Sequence, residues 1–261
     1  MIAEIYSKVS STNSNLSERL EDELTGNFFG NMRYISFNKG MKHILKNCVK
    51  PVENNYIFNN LNIEEWNNCI EFWPREKECE IDIRISLENI LIGIEVKLWS
   101  GLSSDDEVIN IEKEIIENNL IEEESKNQLA RESRMLNRIE AQKEKILILL
   151  GDEMSCNSIY KNVKKRNIID SNVTLLYINW QDILLELKNL TNLNSYEQLI
   201  IDDIIELLKK KGFERFKNFD IDLKVEDNNW SFSKENSDFG FKNEFKRIEE
   251  DKYYEFGEKY I

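Results

Sequence analysis

Residues 81–98 read Ile81-Asp82-Ile83-Arg84-Ile85-Ser86-Leu87-Glu88-Asn89-Ile90-Leu91-Ile92-Gly93-Ile94-Glu95-Val96-Lys97-Leu98. In the first half, Ile81, Ile83, Ile85 and Leu87 alternate with Asp82, Arg84 and Ser86, the period of a strand with one buried face. Glu88-Asn89 supplies a tight turn. The second half is almost continuously apolar, which predicts a strand covered on both faces and therefore more central in its sheet. The two halves form a β-hairpin. Glu95 and Lys97 interrupt the apolar strand two positions apart, so they share a face. Burying either charge costs desolvation, which a purely structural strand has no reason to bear.

Working outward, Cys69-Ile-Glu-Phe-Trp73 alternates and stops at Pro74. Leu16, Leu20, Leu24 and Phe28 recur every four residues and predict a helix from Asn15, capped by Ser17 or Asn15 and ended by Gly30. A second helical pattern covers 37–48 through Met41, Ile44 and Leu45. Downstream, 101–127 is strongly acidic and blends into a helix carrying Gln128, Leu129, Met135, Leu136 and Ile139. Residues 145–150 and 173–178 read as buried strands with a helical 156–168 between them. From Trp180 onward the pattern is helical, through Ile183, Leu184 and Leu187 and then Leu199 to Leu208. The expected fold is an α/β sandwich with a mixed central sheet and a mostly helical C-terminal extension. The expected domains are a core over 1–180 and an extension over 181–261 that packs on the core or on a partner.

Composition excludes several function classes. The chain has 261 residues, 41% hydrophobic, enough for a sizeable core in one large domain or two small ones. Forty-nine acidic against 35 basic residues leave a net charge of −14. The average field therefore repels phosphate, which excludes a simple basic coat for nucleic acid or membrane but leaves a local site open. Cys48, Cys69, Cys79 and Cys156 form no C-x-x-C pair, and His43 is the only histidine. That argues against a Cys/His zinc site and, unless His43 takes part, against histidine-based nucleophilic catalysis. The N-terminus lacks a secretory pattern and no apolar run reaches membrane-spanning length, so the expectation is a soluble, reduced, cytoplasmic protein.

The chemistry concentrates in the hairpin. Asp82 and Glu95 offer hard oxygen ligands suited to Mg2+, beside which Lys97 could orient or activate a water. Asp82, the twelve intervening residues and Glu95-Val96-Lys97 resemble the PD-(D/E)XK nuclease superfamily, which has the restriction-endonuclease-like fold. The literal Pro-Asp dipeptide is absent, since Pro74 lies eight residues before Asp82. Glu21-Asp-Glu-Leu-Thr25 is similar to the helix-borne Glu-x-x-Leu-Thr motif of many members. The resemblance implies that Glu21, or Glu18 one turn earlier, faces the metal. Gln128-Leu-Ala-Arg131 is similar to the family's glutamine-bearing helix, implying that Gln128 positions water or phosphate, with Arg131 or Arg134 nearby.

The resemblance spans about 16–180 and the α-β-β-β-α-β order. It implies a Mg2+-dependent endonuclease, with Mn2+ as a substitute, hydrolysing DNA within a bacterial defence or restriction system. Catalytic residues would be Asp82, Glu95, Lys97, Glu21 and Gln128, with Asp82, Glu95 and Glu21 as metal ligands. Expected partners are DNA and either another protein or a second copy of the chain. The alternative is a catalytically silent restriction-fold subunit whose acidic surface engages a protein. The acidic 105–124 stretch reads as a solvated face or as a negative flap over a DNA groove. Lys209-Lys210-Lys211 with Arg215 and Lys217 contacts a phosphate backbone or complements a helix end capped by Gly212. The tail aromatics, including Trp230, Phe232, Tyr253 and Tyr254, pack on the core or a partner.

Overall fold

The computed structural model describes residues 17–76, 79–98, 102, 105 and 125–215, with side chains in the first helix from 21 onward. These residues all fall in one compact unit. The acidic residues 106–124, Lys217 and the tail aromatics lie outside the described residues, as does a second unit, Lys217–Ile261.

A five-stranded sheet has the spatial order β1 (Ile70–Phe72), β2 (Ile83–Ser86), β3 (Ile90–Val96), β4 (Glu144–Gly151) and β5 (Val173–Asn179). β1, β2 and β3 pair antiparallel, whereas β3, β4 and β5 pair parallel. The helices are α1 (Ser17–Met32), α2 (Met41–Cys48), α3 (Gln128–Arg138), α4 (Glu153–Arg166), α5 (Trp180–Leu187) and α6 (Ser195–Lys210), with a 3-10 turn over Val52–Phe58. The expected α/β sandwich with a mixed central sheet therefore forms. Among the described residues, no helix is long and apolar enough to cross a membrane.

Two apolar layers flank the sheet. Ile83, Ile92, Ile94, Ile146 and Ile148 bury one face with Leu24, Phe28 and Phe29 of α1 and with residues of α2, α5 and α6. Leu91, Leu147, Leu149 and Leu175 bury the other with Leu129, Met135 and Leu136 of α3 and Cys156 and Val163 of α4. Each such side chain contributes about 1.5–3 kcal/mol.

Three details differ from the sequence pattern. α1 continues past Gly30 to Met32, because a helical glycine costs only about 1 kcal/mol while Phe29 and Met32 are both fully buried. α2 begins at Met41, and the preceding residues form turns in which the Gly40 N–H donates to the Ser36 carbonyl. Ile81 packs in the α3–α4 layer, not with Ile83 and Ile85. Opposite the bend at Asp82, the Trp73 backbone is left-handed (φ 49°), so the alternation breaks there.

α3 begins where Asn127 caps it, its side chain accepting from the Leu129 and Ala130 N–H groups. The helix lies close on β3 because residue 93 has no side chain. A Cβ at Gly93 would stand 2.8 Å from Leu136 Cδ1. At the far end, Trp180 stacks on Phe213 (5.7 Å) and meets Phe28 edge-on (5.2 Å). Gly212 (φ 83°) follows α6, Lys209 pairs with Glu206, and Arg215 binds both Glu153 and Asp182.

Replacing Gly93 by Val should destabilise the protein by about 1–3 kcal/mol through overpacking. Adding Leu136→Ala should cost less than the two single changes summed, which urea unfolding of the two singles and the double would measure.

Candidate active site

The edge of the sheet where β3 ends gathers four chain segments. Lys97 prolongs the ladder beyond Val96, its N–H donating to the Leu150 carbonyl at 2.6 Å. Its own carbonyl accepts from the Trp180 indole Nε1–H at 3.0 Å. Odd-numbered residues of β3 face α3, so Glu95 meets the first turn of that helix as Gly93 meets its third.

The side chains form a chain of contacts. Lys97 Nζ lies 2.7 Å from Glu95 Oε1 and 3.1 Å from Glu21 Oε1. Glu21 Oε2 accepts from the Leu98 N–H at 2.9 Å, tying α1 to the end of β3. Gln128 Nε2 donates to Glu95 Oε1 at 2.5 Å. Asp82 Oδ2 accepts from the Val96 N–H at 2.8 Å, which places its carboxyl beside the Glu95–Lys97 strand end. Glu95 and Lys97 are only 3% and 6% exposed, unlike charges on an edge strand facing water. Glu21, Glu95, Lys97, Gln128 and Asp82, read from the sequence, thus come together. Arg134 instead reaches back to the Ser125 carbonyl, at 3.0 Å. The Glu18 side chain lies outside the described residues.

One member was not anticipated. Glu132 lies one turn after Gln128 on the same face of α3 and is completely buried. No donor reaches either carboxyl oxygen. Burial, and then the neighbouring Glu95 charge, hold its pKa well above the ordinary carboxylate value, so it is the protonated partner that donates to Glu95. The i, i+4 spacing from Gln128 is the signal in the sequence that finds it.

Electrostatics follow from the packing. Burial opposes the Lys97 charge, but Glu95 and then Glu21 outweigh it and keep the ammonium protonated. For Asp82, burial and then repulsion from Glu95 push the pKa up to about 8, against the pull of the Val96 N–H. Among the described residues, no three Asp, Glu, His or Cys side chains are arranged to hold a metal ion. The Lys97 ammonium stands between the Glu21 and Glu95 carboxylates. The donor set nevertheless suits a hard cation. Its groups are carboxyl oxygens whose repulsion a divalent ion would relieve. No family model, curated protein or solved structure matches this chain.

A pKa raised in the folded state means that folding retains a proton on Asp82 which the unfolded chain releases. Its contribution is complete below about pH 4 and is lost as pH rises through about 8. Asp82→Asn should therefore leave stability nearly unchanged at about pH 4 but raise it by about 1–3 kcal/mol at about pH 8 without metal, measured by thermal unfolding across that range in EDTA.

Proposed function

We propose that this protein is a metal-dependent endonuclease of the PD-(D/E)XK kind that hydrolyses DNA phosphodiester bonds, as a component of a bacterial defence or restriction system. The observation that carries the reading is the buried Glu95–Lys97 pair at the end of β3, with Asp82 at the bend just before β2 and Glu21 and Gln128 on flanking helices. A mixed five-stranded sheet flanked by helices supports it in general shape.

Asp82, Glu95 and Glu21 are the residues that would hold Mg2+ or Mn2+. When bound, the ion would supply Lewis-acid stabilisation of charge developing on the phosphoryl oxygens. Lys97 carries a fixed positive charge that can orient an attacking water and meet a phosphate oxygen. Gln128 and protonated Glu132 each donate to Glu95 and so fix the direction of its carboxylate. Asp82 must lose its proton to act as a ligand, which makes metal affinity rise with pH.

The net charge of −14 favours a second reading, a catalytically silent subunit whose acidic surface binds another protein. Supercoiled plasmid at low salt with Mg2+, Mn2+ or EDTA separates the two. Wild type should nick the plasmid only with metal, and Asp82→Asn, Glu95→Gln and Lys97→Met should each lose about 100-fold or more. Because Asp82→Asn is expected to fold more stably, its loss of cleavage reports on chemistry alone. Magnesium should also raise the melting temperature more at about pH 8 than at about pH 6. Neither cleavage nor a magnesium shift would favour the silent subunit. A shift requiring Asp82 and Glu95, without cleavage, would mark a site that waits for a partner.

A further inference from the structure

One residue beside the site carries backbone strain. Trp73 has φ 49°, a left-handed conformation disfavoured for a bulky side chain, and it immediately precedes Pro74, which narrows its backbone further. Its N–H donates to the Asp82 carbonyl at 2.9 Å, so it is the cross-strand neighbour of a proposed metal ligand. The indole lies against α1 at Gly26, where a Cβ would stand 3.5 Å from its Cη2 atom.

Trp73 ends a strip of interleaved rings and charge. Its ring centroid is 5.7 Å from that of Phe72, tilted by 46°. The Arg33 guanidinium sits 5.7 Å over the Phe72 ring and 5.1 Å over Tyr34. Both ends are open, with Tyr34 66% and Trp73 36% exposed, whereas Phe28, Trp66 and Trp180 of the core are sealed. Aromatic faces alternating with arginine are the means by which proteins hold unpaired bases.

We propose that Trp73, supported by Phe72 and Arg33, is the stacking platform for a base of an unpaired DNA strand whose backbone passes Asp82, so that the substrate is single-stranded or has an unpaired segment at the cleavage point. The proposal rests on the nuclease reading for its direction. The backbone bond from Trp73 to Asp82 makes the platform and the proposed ligand direct neighbours at this end of the sheet. The local charge favours an unpaired strand over a duplex. Among the described residues, Glu71 and Glu76 lie beside Arg84 and Glu80 beside Arg75, so carboxylates offset both arginines at this rim. Stacking on ring faces, with the Arg33 charge beside it, adds to the attraction of a strand in a chain whose net charge repels phosphate.

The test is fluorescence anisotropy of labelled oligo-dT, alone and annealed to oligo-dA, with the full-length protein in EDTA, where cleavage cannot interfere. Wild type should bind the single strand in preference to the duplex. Trp73→Gly and Tyr34→Ala should weaken that binding, the former about ten-fold or more, while Trp73→Phe stays near wild type. Glycine suits the left-handed backbone, so Trp73→Gly should melt no lower than wild type apart from lost ring contacts, and Tyr34→Ala removes an exposed ring together with its contacts to Arg33. Binding that is absent, equal for the duplex, or indifferent to Trp73→Gly overturns the platform, even if magnesium-dependent cleavage is found. Trp73-dependent binding with neither cleavage nor a magnesium shift in melting keeps the platform and defeats the nuclease reading instead.

Discussion

The Lys97 ammonium is the point on which the site depends. It is almost wholly enclosed, yet it touches Glu95 from its own strand and Glu21 from α1. A charge so placed survives only because its partners are fixed. Losing one side of a buried pair typically costs about 3–5 kcal/mol, since the other is left uncompensated. Carboxyl groups outnumber the single ammonium, and the surplus is carried by protons on Asp82 and Glu132. The cluster therefore costs folding free energy that an apolar packing of the same volume would not.

The scaffold holds that arrangement through backbone as much as side chain. Leu98 N–H fixes Glu21, Val96 N–H fixes Asp82, and the missing side chain at Gly93 lets α3 bring Gln128 and Glu132 down onto Glu95. Asn127 sets where that helix begins, so a one-residue shift of its start would rotate both polar side chains by about 100° away from the strand.

The apolar periods carried most of the architecture. The apolar runs of β3, β4 and β5 read as buried strands, which the structure pairs parallel, and the alternation of β2 as one partner of a hairpin. Asp82, Glu95 and Lys97 stood out because charge on such strands is costly. Glu21 and Gln128 were found only through the motifs they resemble, since acids and amides on exposed-looking helices carry no periodic signal. Glu132 escaped because α3 is polar in composition, so that its i, i+4 spacing from Gln128 gave no sign that the shared face is sealed. The side exchange of Ile81 was equally hidden. It follows from the left-handed backbone at Trp73, and tryptophan gives no local hint of that conformation.

The indole of Trp180 has a consequence for how this protein can be taken apart. Its Nε1–H holds the Lys97 carbonyl, and its ring is clamped between Phe28 and Phe213. A fragment cut after the last strand would keep Glu21, Asp82, Glu95, Lys97 and Gln128, yet lose Trp180 itself, the first residue of α5, together with α6 and Phe213. The smallest portable unit of this site, for grafting or for recombination between genes, therefore extends at least to Phe213. Swapping the helices after the sheet would retune the lysine without touching a residue of the site itself.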